Sequence, residues 1–525
     1  MYTSQSYKEP FWAENSGFIT GRDALGIQNS SIATYSRLLP GMTNLTLRLR
    51  YYGFYMWVLQ NYYEKYGNNK EFTYKDQYYF VRKAELIMAF IMMKLHPEEL
   101  SIIGSDYTKK NQNEIFDLGY FDLKKGADKS KGNDENKLYW DFDSGALGQY
   151  YAGSLIALKL IITSEGFFLI QEDGKKLASA FDSNLNQKQK ELFLEAIETE
   201  KLNLITIESL SDFAINKILL KSEEWELYNT ILIGNDGVQF LDDLGNETSL
   251  RKQSVKLYLD YIQENDVNYN SRSFIKWQYI LNINEGQNDA SFGWSYYYIN
   301  EAIHFGLETI FWSILVDIEN KERVFEVYIE ELTERILNKS MEAYLSNSKS
   351  HLLLDCIDSC SDFSIISLLE DLENIVKSKV NNQEAIIVAF QLLLTIYEKN
   401  YARIEQINSF EKKYGVYHQK GRVSENFSLY IENKINFDFR NFVMDAVKMI
   451  INNHINSAYR KMGNGESNLL KFMIEDGIIY HIQTMPPTHT SPRLRALENF
   501  VTDLSLVTKE RTLTKEGLSL LNLLK

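Results

Sequence analysis

The residues best spaced for metal chemistry are Glu301, His304 and Glu308, in the segment SYYYINEAIHFGLETIFW. Residues three and four apart lie on one face of an α-helix, so these side chains could ligate one divalent cation together. A carboxylate di-iron centre would need a second helix with Glu-x-x-His, and the sequence contains no other such motif. The alternative is a polar stripe that hydrogen-bonds to a neighbouring helix. We favour this alternative and predict no metal site and no cofactor.

Motifs of the common enzyme classes are absent from the sequence. It contains no G-x-x-x-x-G-K-S/T phosphate-binding loop, no G-x-S-x-G nucleophile elbow and no H-E-x-x-H zinc motif. Glu-x-Lys pairs, which restriction-type nucleases place on strands to hold Mg²⁺, lie here in helical or turn context, as in Glu411-Lys412-Lys413. Cys356 and Cys360 share a helix face without further ligands nearby, which is typical of buried thiols. No catalytic residue is therefore predicted, and the sequence favours a protein without enzymatic activity.

The elements that would position these residues read mainly as helices. Six prolines in 525 residues permit long helices, and 44% hydrophobic residues suffice for a large core. The longest apolar runs fall short of the ~20 residues that cross a bilayer, and the first residues show no signal-peptide pattern. We therefore expect a cytoplasmic protein without membrane contact. The predicted fold is mainly α, a multi-helical body with two small winged-helix-like modules that have short β wings.

Composition and pattern divide the sequence into four segments. Residues 1–80 form an N-terminal helical segment with an aromatic and arginine signature, and residues 81–185 a helical region with a winged-helix-like unit. Residues 186–464 form the helical body, and residues 465–525 form a C-terminal winged-helix-like module.

Two segments share a local pattern of apolar residues and one glycine, and we name them the first copy and the second copy. The first copy reads Leu155-x-x-Leu158-x-Leu160-Ile161 and then Ile170-x-x-x-Gly174-x-x-Leu177, and the second reads Val501-x-x-Leu504-x-Leu506-Val507 and then Leu513-x-x-x-Gly517-x-x-Leu520. The pattern predicts an amphipathic helix, a short β-hairpin, and a closing helix that the glycine allows to approach closely. It resembles the second half of a winged-helix domain.

Basic residues of the second copy are candidates for contact with DNA. Arg493 and Arg495 lie at the start of the recognition-type helix, where the helix dipole adds to their charge. Lys509 and Arg511 would lie on the wing, and Lys515 begins the closing helix. Contacts from such residues to phosphates would be salt-dependent and weakly specific. Winged helices also mediate protein contacts, and the sequence leaves this alternative open.

Arg48 and Arg50 are further candidates for contact with nucleic acid because aromatic residues follow them. They are two apart, so they point to different faces of a helix. The alternative is that the aromatics form core and the arginines pair with acids. The net charge of the chain is −15, so any contact with double-stranded DNA must use a local basic patch or come through a partner.

Residues 21–66 carry the most distinctive run of the sequence. Its matching residues are Leu25-Gly26-Ile27, Leu39-Pro40-Gly41, Thr43-Asn44, Arg48, Arg50, Tyr51-Tyr52, Phe54-Tyr55 and Trp57. This run resembles the opening of poorly characterised bacterial protein families found in antiphage defence loci. The resemblance implies a defence context and no particular chemistry.

These observations favour a non-catalytic structural or DNA-associated subunit of a multi-protein bacterial antiphage defence complex, acting as scaffold or adaptor. Its expected partners are other subunits of a defence operon, such as an SMC-like ATPase, a helicase or a nuclease. One alternative is an effector nuclease whose site is assembled from residues distant in sequence. Another is a transcriptional regulator, which would require specific operator binding and a symmetric dimer.

Overall fold

The computed structural model describes residues 23–67, 71–129, 138–233, 250–264, 270–284, 288–346, 348, 350–378, 382–413, 423–462 and 469–524. Within these ranges the regular structure is dominated by helices, and the strands are short and antiparallel. The predicted mainly α fold is therefore confirmed. The predicted N-terminal segment lies outside the described residues over positions 1–22.

The α-helices are long in the middle of the chain and shorter toward its ends. The first eleven are α1 (Asn29–Leu38), α2 (Arg50–Tyr66), α3 (Tyr74–Leu95), α4 (Ser105–Leu118), α5 (Leu123–Ala127), α6 (Ala152–Ala157), α7 (Glu172–Ser183), α8 (Gln187–Thr199), α9 (Leu204–Ser209), α10 (Glu223–Ile233) and α11 (Leu250–Glu264). They are followed by α12 (Ser271–Asn284), α13 (Asp289–Ile318), α14 (Phe325–Ala343), α15 (Leu353–Asp358), α16 (Ile365–Ser378), α17 (Asn382–Asn400), α18 (Ile404–Lys413), α19 (Val423–Glu432), α20 (Phe439–Met462), α21 (Leu494–Asp503) and α22 (Lys515–Leu524).

The strands form three small antiparallel sheets within the described residues. They are β1 (Phe121–Asp122), β2 (Ile161–Ser164), β3 (Phe167–Ile170), β4 (Lys201–Leu202), β5 (Arg323–Val324), β6 (Phe472–Glu475) and β7 (Ile478–His481). β1 pairs with β4, β2 pairs with β3, and β7 lies between β5 and β6. The β6–β7 hairpin turns at Asp476-Gly477, where both residues have positive φ, as a two-residue type I′ turn requires.

The contacts divide the chain into two compact units, each discontinuous in sequence. The first unit takes in the described residues up to Arg37 together with Ile275–Ser491, and the second takes in Leu38–Phe274 together with the residues from Pro492 onward. The boundary after Ser491 lies inside the predicted C-terminal segment 465–525. The four-segment division stays a prediction.

The second unit has a core of aromatic rings around α2. This helix is buried from Arg50 to Leu59. The rings of Phe54 and Trp57 contact Phe181 on α7 and Phe193 on α8. Because these aromatics recur on the inward faces of α2, their helical spacing reflects packing in the core.

The first unit is built around α13, the 30-residue helix from Asp289 to Ile318. Asn288 caps its N-terminus by accepting a hydrogen bond from the Ser291 amide. The helix is buried on all sides, and its main neighbour is α17, with α16, α19 and α20 also in contact. A helix that is apolar all round is a core helix, so every polar side chain on it needs a partner inside the protein.

Among the described residues, no helix combines sufficient length with sufficient apolar character to cross a bilayer.

Candidate functional site

Both copies of the repeated pattern lie in the second unit and share one backbone geometry. Two residues after the ends of helices α6 and α21 lies a left-handed residue, Lys159 at φ +54° and Ser505 at φ +55°. The amide of the residue that follows donates a hydrogen bond back to a helix carbonyl, from Leu160 to Leu155 at 2.9 Å and from Leu506 to Val501 at 2.8 Å. The predicted order of helix, hairpin and helix is found in the first copy, and in the second copy a single bridge lies between the two helices.

The glycine of each copy lies against the carbonyl of a leucine three residues beyond the end of the preceding helix. A Cβ atom at Gly174 would lie 2.3 Å from the Leu160 oxygen, and one at Gly517 would lie 2.0 Å from the Leu506 oxygen. Only a residue without a Cβ allows this approach of helix to backbone. The glycine in the pattern thus has a packing role in both copies.

The hairpins of the two copies differ in extent. In the first copy, β2 and β3 form a ladder of four residue pairs with a turn at Glu165-Gly166. In the second copy the ladder is reduced to the single bridge between Val507 and Leu513. The wing of the second copy is therefore held by fewer strand contacts.

The cations predicted in the second copy differ in exposure. Arg495 and Lys515 are exposed, and Lys509 has a side chain that is 75% exposed, 3.6 Å from a Glu99 oxygen. Arg511 donates to Glu498 at 2.8 Å, whereas the half-buried Arg493 donates to the Leu39 carbonyl at 3.0 Å. Three of the five cations therefore project into solvent, and among them Lys509 forms an ion pair with Glu99.

The first copy lacks these cations at the equivalent positions. When Leu155 is aligned with Val501, Gln149 takes the place of Arg495. In the same alignment Thr163 takes the place of Lys509, and aligning the residues after the hairpins places Glu172 opposite Lys515. At these three aligned positions, therefore, only the second copy carries an exposed cation.

Arg48 and Arg50 lie in the interior of the second unit. Arg50 is 1% exposed, and its guanidinium pairs with both oxygens of Glu224 at 3.0 Å and 3.2 Å. Arg48 pairs with Glu99 at 2.8 Å and with Asp503 at 3.1 Å. Since both guanidiniums are enclosed and paired, neither is placed to reach a phosphate. The structure favours the other interpretation of this run, in which the aromatics form core and the arginines pair with acids.

The polar face of α13 forms a buried network in the first unit. Glu301 accepts hydrogen bonds from the amide and hydroxyl of Thr490, both at 2.8 Å. Glu308 accepts from the Thr488 amide at 3.0 Å with its Oε2 atom. Its Oε1 atom lies 3.0 Å from Nε2 of His304. The chain segment around His489 therefore covers the face that the Glu-x-x-His spacing predicted.

The charges of this network shift the pKa values of its members. Burial alone would lower the pKa of His304, but the carboxylates of Glu308 and Glu301 raise it to about 9. Burial would raise the pKa of Glu301, but the hydrogen bond from His489 and the charge of His304 hold it at about 2. The network is therefore an arrangement of buried charges and not of neutral polar groups.

Asp23 brings a second carboxylate to His304 and Glu308. Its oxygens accept from the amides of Gly26, Ile27 and Gln28 at 2.8–3.0 Å, which fixes the carboxylate in place. One ligand atom from each of Asp23, His304 and Glu308 lies within 4.8 Å of the others. We name these three residues the acid–histidine cluster.

A cavity of about 120 Å³ has Asp23, one member of this cluster, in its wall. Lys461 donates to the carbonyl of Asp23 at 2.7 Å across the same wall. His454 donates from Nδ1 to the Ala24 carbonyl and accepts from the Lys471 amide at Nε2, both at 3.0 Å. Burial lowers the pKa of His454 to about 4, so this histidine is neutral, in contrast to His304.

Part of this site could be found in the sequence and part could not. The spacing of Glu301, His304 and Glu308 pointed to a shared helix face, but no local signal pointed to Asp23 or His489. The β6–β7 hairpin was also not predicted, although Asp476-Gly477 between apolar runs is a hairpin signal.

Comparison with known proteins adds no relative. No protein-family model, curated protein or solved structure matches the chain. The resemblance of residues 21–66 to proteins of antiphage defence loci therefore stays a prediction.

Proposed function

We propose that the protein is a non-catalytic adaptor subunit of a multi-protein bacterial antiphage assembly, and that its second copy contacts the phosphate backbone of double-stranded DNA. The observation that carries this proposal is the contrast between the two copies. Arg495, Lys509 and Lys515 are exposed in the second copy, and the first copy has neutral or acidic residues there. The run in residues 21–66 supports the defence context.

The expected contact is local and depends on salt. Each cation that neutralises a phosphate releases counterions, so the logarithm of affinity falls with the logarithm of salt with a slope of about −0.9 per contact. Since the net charge of the chain is −15, long-range repulsion opposes the contact at low ionic strength. Contacts to phosphate position a protein on DNA without reading its sequence, which suits an adaptor.

The test compares charge reversal in the two copies. A triple variant carrying Arg495→Glu, Lys509→Glu and Lys515→Glu should lower affinity for a labelled duplex at least about 10-fold and reduce the salt slope by about 3. Fluorescence anisotropy of the full chain measures both quantities.

A matched control reverses three exposed lysines of the first copy, Lys159, Lys175 and Lys176. This control changes the net charge by the same amount. Its affinity for DNA and its salt slope should stay closer to those of the parent protein than the values of the second-copy variant do. Equal losses in the two triple variants, or none in either, would show that the second copy does not contact DNA.

The adaptor role is tested by purification of the protein with the products of neighbouring genes. We expect stable recovery of at least one further subunit, such as an ATPase, a helicase or a nuclease. A protein that recovers neither a partner nor DNA would contradict the proposal.

A second candidate function, an effector nuclease, is favoured by one observation. Asp23 is distant in sequence from His304 and Glu308 and meets them in the structure, as a non-local metal-dependent site requires. Plasmid cleavage in Mg²⁺ or Mn²⁺ that Glu308→Gln abolishes would support this candidate over the adaptor. Intact plasmid under both conditions would exclude it.

A further inference from the structure

We propose that the acid–histidine cluster binds one divalent transition-metal ion in the interior of the first unit. Asp23, His304 and Glu308 are 2%, 0% and 1% exposed, and their ligand atoms approach one another within 4.8 Å. A single ion between them can contact all three. The inference is independent of the adaptor proposal, and it does not require the nuclease candidate, because the ion can be structural.

Unsatisfied atoms in the cluster point to a missing ligand. Glu308 Oε1 and His304 Nδ1 are buried and have no hydrogen-bond partner among the described residues. The 3.0 Å approach of Glu308 Oε1 to His304 Nε2 is an ion-pair distance that lacks hydrogen-bond geometry. A buried polar atom without a hydrogen-bond partner is destabilising, and a cation at Glu308 Oε1 removes that penalty.

The carboxylates are oriented before any ion arrives. The Thr488 amide holds the other oxygen of Glu308, at 3.0 Å, which leaves Oε1 turned toward the histidine. Asp23 accepts three backbone hydrogen bonds, and a carboxylate offers about four lone pairs, so one remains for a metal. Such secondary contacts fix the ligands of natural metal sites in the same way.

The balance of buried charge also favours a cation. Two cluster carboxylates and the neighbouring Glu301 surround one imidazole, and an isolated buried carboxylate is costly. Lys461 donates to the carbonyl of Asp23 and not to its carboxylate among the hydrogen bonds of the described residues. Gln28 faces the ring at 3.3 Å and His489 faces Glu301 at 3.4 Å.

The donor set selects the class of metal. One imidazole nitrogen with two carboxylate oxygens suits Mn²⁺, Fe²⁺ or Zn²⁺, whereas Mg²⁺ and Ca²⁺ prefer oxygen alone. Three protein ligands leave coordination positions for water. The cavity of about 120 Å³ beside Asp23 is large enough for several water molecules.

Metal binding by the full-length protein tests the proposal. The protein is stripped with a chelator and titrated with Mn²⁺, Zn²⁺ and Mg²⁺ by calorimetry. We expect one high-affinity site for Mn²⁺ or Zn²⁺, and Mg²⁺ binding at least about 10-fold weaker. Glu308→Gln should weaken the transition-metal site at least about 10-fold.

The matched control is Glu301→Gln, on the same helix face and outside the cluster. It removes the same charge, and it should keep the stoichiometry and most of the affinity. If both variants lose binding equally, the effect is general charge and the assigned ligands are wrong. No binding of Mn²⁺ or Zn²⁺ by the parent protein overturns the proposal outright.

If Glu308→Gln does not fold, a spectroscopic measurement on the parent protein can still test the proposed ligands. Electron spin-echo spectroscopy of the Mn²⁺ complex should show coupling to an imidazole nitrogen, which only His304 in the cluster supplies. A spectrum without nitrogen coupling would rule out the proposed ligand set. Since cleavage of plasmid is measured separately, a bound ion without nuclease activity supports the site and excludes the nuclease candidate.

Discussion

The two copies in the second unit share the backbone geometry after their first helix and at their glycine, and they differ in their surfaces. Each has a left-handed residue at the end of its helix, at φ +54° and +55°, and a glycine pressed against a leucine carbonyl. The exposed positions differ, since Arg495 replaces Gln149 and Lys515 replaces Glu172. The comparison shows which residues the local fold needs and which are available for contact with other molecules.

The two copies also use different buried arginines near the start of α2. Arg50 lies over the ring of Phe181, on the closing helix of the first copy, while it pairs with Glu224. Arg48 pairs with Asp503, the last residue of α21 in the second copy. Substitution of one arginine or the other should therefore weaken the contacts of one copy at a time.

The largest effect is expected from Arg50→Ala. Glu224 is fully buried, so removal of its cation leaves an uncompensated carboxylate and should cost about 3–5 kcal/mol of unfolding free energy. Urea unfolding of the full chain measures the loss. Replacing Arg50 and Glu224 together by methionine should recover part of it, because no buried charge remains. A loss below about 1 kcal/mol for the single variant would contradict this role.

A smaller and differently located effect is expected from Arg48→Ala. Its partners Glu99 and Asp503 are 15% and 9% exposed, so water can compensate part of the lost interaction, and about 2–3 kcal/mol is expected. Hydrogen–deuterium exchange should rise in residues 494–503 more than in residues 172–183. The opposite distribution would show that Arg48 does not attach the second copy.

Substitution of the two glycines should cost similar amounts in the two copies. Gly174→Ala and Gly517→Ala each place a methyl group inside contact distance of a carbonyl oxygen, with an expected loss of about 1–3 kcal/mol. Gly153→Ala is the control, because a Cβ there meets nothing within 4 Å. This control should stabilise α6 by about 0.5–1 kcal/mol. If one glycine tolerates alanine freely, the two copies do not share the same close approach.

The smallest effect is expected at the left-handed residues. Lys159→Gly and Ser505→Gly remove a conformational strain of about 1–2 kcal/mol and add about 0.5–1 kcal/mol of unfolded-state entropy. Both variants should therefore unfold at slightly higher urea concentration, by the same margin. If one variant were more stable and the other less stable than the parent protein, the two copies would not share the same backbone strain at this position.

Features set by local spacing could be predicted from the sequence. The helices, the repeated pattern and the shared face of Glu301, His304 and Glu308 all follow from residue spacing, and they hold in the structure. The surroundings of Arg48 and Arg50 could not be predicted. The acids that pair with these arginines are far away in sequence, and no periodicity connects them.

The same limit applies to the acid–histidine cluster. Asp23 reaches His304 and Glu308 only through the packing of the first unit. The residues next to Asp23 in the sequence form a loop whose three amides donate to its carboxylate. Nothing in that loop indicates that Asp23 contacts α13. The identity of a buried charge network depends on which segments meet, and that is decided by the fold as a whole.

The discontinuity of the second unit has a consequence for synthesis on the ribosome. Arg48 and Asp503 are separated by 455 positions, so the early half of this unit emerges long before its counterpart exists. During that interval the positions that later receive α21 are uncovered, including the ring of Tyr52 that meets Phe500. The second unit can therefore be completed only after the entire first unit has been translated. A prematurely terminated chain would leave aromatic core residues of the second unit exposed to chaperones and proteases.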